Sequence, residues 1–211
     1  MRTSRFHTQL PLNAGETLIL DAKLSHYMLR VLRLQSGDRV ILFGGDGREF
    51  RATLQGCDKQ LAKVEIHDFR QPRRESPLHV RLGQGLSRGE HMDASIQKAT
   101  ELGASAIVPL ICERSSSMNK ERLGKKLGRW RQIAISACEQ SGRNRLPVID
   151  EAIDFETASR RSDSACQLAA VRVRDGRIVD QACWRIRPEP FYFSQANIRI
   201  HGITPDDVRG E

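Results

Sequence analysis

The sequence predicts an α/β protein that begins with a small β domain and continues into half of an open α/β sheet. Apolar segments rich in β-formers, some alternating with period two, dominate residues 1–72, which are predicted to form a small β-barrel. Strand-like and helix-like segments then alternate from 73 to 150, as they do in strand–helix–strand units. A change of pattern near residue 150 opens a third segment, 151–211.

In the first segment, four strands and one helix are predicted. The strands are 17–20, 39–43, 51–54 and 62–67. Asp21 is suited to cap the helix, whose buried face carries Leu24, Met28 and Leu32. The Gly-Gly-Asp-Gly sequence at 44–47 indicates a turn. A backbone cradle for phosphate is the alternative, but no helix follows this sequence, which favours a hairpin.

In the second segment, three strands and two helices are predicted. The strands are 78–82, 106–111 and 146–149, and the middle one is a continuous apolar run typical of a buried parallel strand. The first helix ends at Gly103, and its apolar stripe is Met92, Ile96, Ala99 and Leu102. The second spans about 119–141, and its buried stripe is Leu123, Leu127, Trp130, Ala134 and Ala137.

The surplus of positive over negative charge lies entirely before the change of pattern near residue 150. The net charge is +8 for the chain, and it divides into +3 for 1–72, +6 for 73–150 and −1 for 151–211. A basic surface of this kind suits a polyanionic partner, although a merely soluble cationic protein is the alternative. No apolar run is long enough to span a membrane, and the start lacks the apolar core of a secretory signal. Five widely spaced cysteines without C-x-x-C pairs indicate a reducing, cytoplasmic location.

Four basic residues of the first segment are candidates for contact with RNA phosphates. They are Arg5, His26, Arg30 and Arg33. His26 and Arg30 stand at i and i+4 and so share one helix face, an arrangement suited to phosphate contact. A solvated helix face without a ligand is the alternative interpretation.

Two blocks of the second segment, K-A-T-E-L-G at 98–103 and E-Q-S-G-R-N-R at 139–145, carry a family resemblance. Over residues 1–150 the chain resembles the RsmE-type ribosomal RNA methyltransferases of the SPOUT class. L-F-G-G-D-G at 42–47 is similar to that family's PUA-like RNA-binding barrel. The resemblance implies a PUA-like domain over 1–72 and the N-terminal half of a SPOUT domain over 73–150.

The resemblance also implies a reaction and its participants. The family methylates N3 of one uridine in small-subunit (16S) ribosomal RNA with S-adenosylmethionine, usually as a homodimer, so the small ribosomal subunit is the expected partner. Three residues of the E-Q-S-G-R-N-R block are the implied catalytic group: Glu139, Gln140 and Arg143. Arg143 would hold a phosphate or the uracil carbonyls, and Gln140 the base edge. Glu139 and Arg143 at i and i+4 could instead simply pair with each other.

Residues 150–211 depart from the family. Its G-P-E-G-G-type loop and L-x-x-R-I-L-R-x-E-T-A-type block hold the methyl donor and thread the trefoil knot, and we identify neither here. We therefore expect no knot, assign no donor-binding residues, and expect no measurable methyl transfer. A non-catalytic RNA-binding remnant is the corresponding alternative function.

The last segment resembles the opening third of a DnaQ-like 3′–5′ exonuclease, joined at about residue 150. The segments that carry this resemblance are 152–158, 166–180, 185–188 and 197–208. Asp154 and Glu156 would lie on one face of a strand, where two carboxylates could bind Mg²⁺ for phosphodiester hydrolysis. This implies a partial ribonuclease-H-like meander and, as an alternative function, a fragment of a metal-dependent nuclease.

Overall fold

The computed structural model describes residues 3–76, 78–87, 89–112, 120–155, 157, 167–174 and 177–185. These residues fall into two compact units. The first unit comprises Met1–Pro109 and Ser116–Glu151, and the second comprises Leu110–Ser115 and Ala152–Glu211. The first unit therefore includes residues from both sides of position 72.

A five-stranded sheet, here called the N-terminal sheet, forms the first part of the first unit. Its strands are β1 (Ser4–His7), β2 (Thr17–Ile19), β3 (Arg39–Phe43), β4 (Glu49–Asp58) and β5 (Leu61–Arg70). The strand order is β1-β3-β4-β5-β2, with β1 parallel to β3 and the other pairs antiparallel. The four predicted strands are present, and β1 is an additional one. The predicted closure of this sheet into a barrel stays a prediction.

The hairpin of β4 and β5 shows how the sequence fixes this sheet. Alternate residues point into the core, and Leu54, Val64 and Ile66 are almost completely buried. The two-residue loop, Lys59 and Gln60, has positive φ at both positions, which matches the right-handed twist of the strands. The predicted period-two pattern is therefore confirmed over this hairpin.

Helix α1 (Ala22–His26) packs on the sheet and continues as a π-helical turn, Tyr27–Val31. Asp21 caps the helix as predicted, because its Oδ1 accepts from Leu24 N at 2.9 Å. Met28 is fully buried as predicted. The expectation for Leu32 is wrong: its amide donates to Tyr27 O at 2.9 Å in the widened turn, and the side chain is 39% exposed.

The remaining elements of the first unit alternate between strand and helix as predicted. They are β6 (Arg81–Gly85), α2 (Glu90–Glu101), β7 (Ala106–Ile111), α3 (Lys120–Ser141) and β8 (Val148–Ile149), and the last two residues of β7 belong to the second unit. Strand β7 lies between β6 and β8, and it pairs in parallel with β8 through residues 106–107 and 148–149. Strand β6 begins three residues later than predicted.

The two helix stripes are mostly as predicted. Met92 and Ile96 of α2 are buried, and Gly103 ends the helix at φ +98°. The expectation for Leu102 is wrong, because its side chain is 86% exposed. Thr100 takes the buried position and satisfies its hydroxyl by donating to Ile96 O at 2.8 Å. In α3, the predicted stripe is buried at Trp130, Ala134 and Ala137 and half-buried at Leu123 and Leu127.

The second unit contains short strands from the last segment. Strand β9 (Ile153–Asp154) pairs in parallel with Leu110–Ile111, and β10 (Gln167–Arg174) pairs with β11 (Arg177–Arg185) as an antiparallel pair. Residues 197–208 lie outside the described residues. The ribonuclease-H-like meander and the absence of a knot therefore stay predictions. No helix in the described part of the chain is long and apolar enough to cross a membrane.

Candidate functional site

The E-Q-S-G-R-N-R block begins at the end of α3 and runs on against the N-terminal sheet. Gly142, at φ +84°, ends the helix with its amide donating to Cys138 O at 3.0 Å. Residues 143–146, here called the docking segment, then lie along the 44–47 turn between β3 and β4. Gly47 N donates to Asn144 O at 3.0 Å, and Leu146 N donates to Gly45 O at 3.4 Å. The turn therefore joins two strands, as predicted, and also holds the docking segment.

Glycine is required at 45 and 47 by this close approach. Both residues have positive φ, +93° at Gly45 and +101° at Gly47. A Cβ atom at Gly47 would lie 3.0 Å from Arg145 Nε, and one at Gly45 would lie 3.1 Å from Leu146 Cγ. The two glycines thus permit contact between segments about 100 residues apart in the sequence, which the hairpin interpretation did not anticipate.

The guanidinium of Arg143 is buried, and each of its three nitrogens donates to a protein acceptor. Its Nε and Nη2 donate to the Glu75 carboxylate at 3.0 and 2.8 Å. Its Nη1 donates to Thr100 O at 2.6 Å and Ala104 O at 3.0 Å, so it caps carbonyls at the end of α2. The alternative of a Glu139–Arg143 pair is wrong, because Arg143 is directed to Glu75 instead. The expected contact of Arg143 with a phosphate or uracil would require these bonds to break.

A buried carboxylate, Glu49, ties the docking segment to the start of the chain. Its side chain is fully buried, and its Oε2 accepts from Arg5 Nη1 at 2.8 Å, Arg74 Nη1 at 3.3 Å and Asn144 Nδ2 at 3.3 Å. Burial acts to raise the pKa of Glu49, but the bonds from Arg5 and Asn144 and the charge of Arg74 outweigh it and hold the pKa below its usual value. Glu49 is therefore an anion in the folded protein at neutral pH.

The structure places Arg5 differently from the expectation of an exposed phosphate contact. Its side chain is only 7% exposed, and its Nη2 donates to Asn144 Oδ1. The guanidinium carbon lies 5.4 Å from the centre of the Phe43 ring. The charge of Arg5 is balanced by Glu49 inside the protein. Arg5 therefore supports the docking segment rather than presenting a cation to solvent.

Glu139 is half-buried where α3 crosses β1. His7 N donates to its Oε1 at 3.0 Å. Burial raises the pKa of Glu139, and the His7 bond and the Arg5 charge only partly oppose this. The carboxylate lines a cavity of about 760 Å³ together with Lys23, Tyr27 and Gln132. Gln140, the next residue, is exposed and lines two smaller neighbouring cavities.

His26, Arg30 and Arg33 are exposed, as the phosphate-contact hypothesis requires. They lie on or next to the π-helical turn, and Arg33 has φ +55°, which is uncommon for a residue other than glycine. Exposed apolar side chains accompany the cations in the same turn: Tyr27, Val31 and Leu32. Cations beside an exposed aromatic ring are the elements that single-stranded nucleic-acid sites combine.

The Mg²⁺ hypothesis concerns the second unit and is not tested. Asp154 accepts from Thr157 N at 2.7 Å and from Thr157 Oγ1 at 2.6 Å, whereas Glu156 lies outside the described residues. Within the described ranges, no group of three or more His, Cys, Asp or Glu side chains could hold a metal ion.

Two family matches define the class of protein. Residues 74–182 match the RNA methyltransferase domain family, and residues 20–66 match the RNA methyltransferase PUA domain family. The chain therefore belongs to the RNA methyltransferases that carry a PUA domain. The first match continues beyond residue 150 into the segment for which we described an exonuclease resemblance, and that second resemblance stays a prediction.

The relatives are more specific. Ribosomal RNA small subunit methyltransferase E from Buchnera aphidicola (Acyrthosiphon pisum) is 34% identical over 146 residues, covering 69% of this chain and 58% of that protein. The protein of the same name from Bacillus subtilis is 31% identical over 155 residues, covering 73% and 60%. These values confirm the RsmE-type resemblance. The chain spans only about three-fifths of the length of these curated relatives.

Solved structures show the same likeness. A methyltransferase from Legionella pneumophila in complex with S-adenosylmethionine gives a TM-score of 0.74 at 35% identity, covering 77% of this chain and 68% of that one. Ribosomal RNA small subunit methyltransferase E from Neisseria gonorrhoeae, bound to S-adenosylmethionine, gives a TM-score of 0.70 at 37% identity. This match covers 77% of this chain and 67% of that one.

Proposed function

We propose that the described part of this chain forms the RNA-binding part of an S-adenosylmethionine-dependent methyltransferase that acts on N3 of a uridine in small-subunit (16S) ribosomal RNA. The observation that carries the proposal is the docking segment. The E-Q-S-G-R-N-R block that bears the family resemblance is held against the N-terminal sheet by the turn at 44–47 and by Glu49. The names of the relatives and the donor bound in two similar structures support the proposed substrate and cofactor.

The chemistry places defined demands on the side chains. Methylation at N3 requires the imide nitrogen to lose its proton while it is held near the methyl donor, so positioning and electrostatics dominate. We assign proton acceptance to Glu139, because a carboxyl group with a raised pKa is a stronger base than an ordinary one. Gln140, exposed beside it, is assigned to the base edge. Arg143 acts as a positioning residue through Glu75 and α2.

No residue of this chain is assigned to the methyl donor. S-adenosylmethionine supplies the methyl group when it is bound, but the loops that the resemblance assigns to it are not identified in residues 150–211. The described residues bring together no group that we can assign to the donor in their place. We propose that residues 1–211 alone give no measurable methyl transfer.

The exposed cations of the π-helical turn are proposed to contact RNA phosphates. His26, Arg30 and Arg33 are the residues concerned, and Arg5 is assigned to the support of the docking segment instead. We further propose a cytoplasmic location, the small ribosomal subunit as partner and, as in the family, a homodimer. Sedimentation equilibrium of the full chain tests the dimer.

The test is RNA binding measured against salt concentration with a single-stranded oligoribonucleotide. About three phosphate contacts at the π-helical turn would contribute about −2 to −3 to the log–log slope, because each contact releases ~0.7–0.9 counterions. The double variant Arg30→Ala/Arg33→Ala should flatten the slope by up to about 2. The matched control, Arg39→Ala/Lys63→Ala, removes two exposed charges from β3 and β5 and should leave the slope unchanged.

Two further outcomes would overturn separate parts of the proposal. Binding that does not depend on salt would exclude the phosphate contacts. Micromolar donor binding by calorimetry, or N3-methyluridine above background in small subunits incubated with the chain and donor, would show that residues 1–211 contain a donor site after all.

A further inference from the structure

A second basic surface lies on the first unit, away from the residues assigned to RNA so far. It is a cleft of about 920 Å³ between the 44–47 turn, the linker 71–79 and the docking segment, here called the basic cleft. The polar residues that line it include Arg73, Ser76, His79, Ser105 and Arg145. Its volume lies within the range of small-ligand sites, about 300–1,000 Å³.

The acidic side chains around the basic cleft are already neutralised. Glu75 lines it, but its carboxylate accepts hydrogen bonds from Nε and Nη2 of Arg143. Asp46, in the adjoining turn, accepts from Arg48 Nε at 2.7 Å, and Arg48 outweighs burial in holding the pKa of Asp46 below its usual value. The charges of these carboxylates therefore do not offset the remaining cations in the cleft.

Two arginines remain as surplus charge. Arg74 is engaged by Glu49 and by Gly142 O at 3.1 Å. Arg73 and Arg145 are exposed, and neither guanidinium makes a hydrogen bond or ion pair with the part of the chain that the structure describes. Each guanidinium thus keeps its full set of donors for an incoming anion, and this planar fork matches phosphate oxygens.

The backbone around Arg145 fixes where its side chain starts. Asn144, just before it, is buried and bonded to Glu49, and residue 145 forms a backbone bridge with Asp46. Gly47 lies directly under the arginine, where even a methyl group would sit 3.0 Å from its Nε. The docking segment therefore presents Arg145 at the cleft wall with little freedom at its base.

We propose that the basic cleft binds the phosphodiester backbone of single-stranded RNA, with one phosphate on Arg73 and another on Arg145. The Ser76 hydroxyl, which accepts from Leu78 N at 3.2 Å, keeps its own proton to donate to the same strand. The inference rests on the proposed function, because RNA is chosen over other polyanions on the ground that the 44–47 turn, which lies within the PUA-domain match, lines the cleft.

The experiment compares full-length variants in their binding of a single-stranded oligoribonucleotide at several salt concentrations. The variant Arg73→Ala/Arg145→Ala should flatten the log–log slope by about 1.4 and weaken binding about 25-fold at ~0.1 M salt. The reason is that the RNA keeps the ~0.7 counterions that each lost contact would have released. Arg73→Lys/Arg145→Lys should keep most of the slope, because a lysine still neutralises a phosphate. Uridine monophosphate and inorganic phosphate serve as competitors that distinguish a strand site from a site for a free phosphate.

Controls separate the possible failures. Thermal melting of each variant tests whether it folds. We expect each to fold, because neither arginine is part of the buried network around Glu49. If Arg73→Ala/Arg145→Ala binds like the parent while Arg30→Ala/Arg33→Ala does not, the cleft inference is wrong and the proposed function stands. If the parent binds no RNA, the proposed function fails with it. Equal competition by inorganic phosphate and the oligoribonucleotide, at the same phosphate concentration, would also overturn the strand site.

Discussion

Glu49→Gln provides a direct test of the network that holds the docking segment. The Glu49 side chain is fully buried and faces Arg5 at 2.8 Å, Arg74 at 3.3 Å and Arg70 at 3.6 Å. Glutamine keeps the shape and one acceptor but removes the charge, which leaves the nearly buried Arg5 guanidinium without a counterion. Removal of one partner from a buried ion pair typically costs about 3–5 kcal/mol. For a chain of this size, the loss corresponds to a fall in Tm of about 6–20 °C.

Urea denaturation of the parent and variant measures the loss as a shift of midpoint at constant slope m. Asp68→Asn is the matched control, since it removes a carboxylate that pairs with Arg51 on the exposed surface of the same sheet. Exposed pairs contribute little, so the control should leave the midpoint nearly unchanged. A loss below about 1 kcal/mol for Glu49→Gln, or one equal to that of the control, would refute the assigned role of the buried carboxylate.

The pH dependence of the free energy of unfolding gives an independent check on the direction of the Glu49 pKa shift. Because the folded pKa of Glu49 is held below its unfolded value, its contribution is fully present above the unfolded pKa and is lost as the pH falls through the folded pKa. The difference between parent and Glu49→Gln should therefore be largest at neutral pH and shrink in acid. A difference that grows in acid would mean that the carboxyl group is protonated in the folded protein.

Three further predictions address single positions. Glu139→Gln should gain stability relative to the parent as the pH rises through the weakly acidic range, because burial raises the pKa of Glu139; chemical denaturation across pH checks this. Gly47→Ala should cost about 1–2 kcal/mol, because φ is +101° and the new methyl group meets Arg145, whereas Gly124→Ala, at an open position of α3, should stabilise by up to ~1 kcal/mol. The nuclease hypothesis predicts Mg²⁺-dependent degradation of single-stranded DNA or RNA that disappears in Asp154→Ala. We expect none, since that carboxylate already accepts two bonds from Thr157.

Local patterns were sufficient for most of the first unit. Period-two alternation located β4 and β5, and the apolar stripe with its glycine stop located α2 and α3 closely. Strand β1 was missed because Ser4–His7 has only four residues, and it is defined by pairing with β3 more than 30 residues away. Leu32 and Leu102 were misplaced because each lies at the end of a helix, where the regular stripe no longer fixes which way a side chain points.

The candidate site was harder to predict, because a sequence shows that an arginine is charged but not which carboxylate lies opposite it. Arg5 meets a carboxylate 44 residues away, and Arg143 meets one 68 residues away. Such pairing depends on how the sheet and α3 come together, which no local pattern records. No local signal marked Glu49 as buried, because it begins β4 and by alternation lies on the face opposite the buried Phe50 and Leu54.

The arginines of the first unit therefore divide by partner rather than by position along the chain. Arg5 and Arg143 are buried, and their charge is balanced by carboxylates, so either would have to break its buried bonds to neutralise an RNA phosphate. Counterion release counts only charges that an incoming phosphate can reach. The salt dependence of RNA binding must then arise from exposed residues such as those of the π-helical turn and the basic cleft. If both surfaces contribute independently, the loss of slope in a combined variant of the two should equal the sum of the losses measured separately.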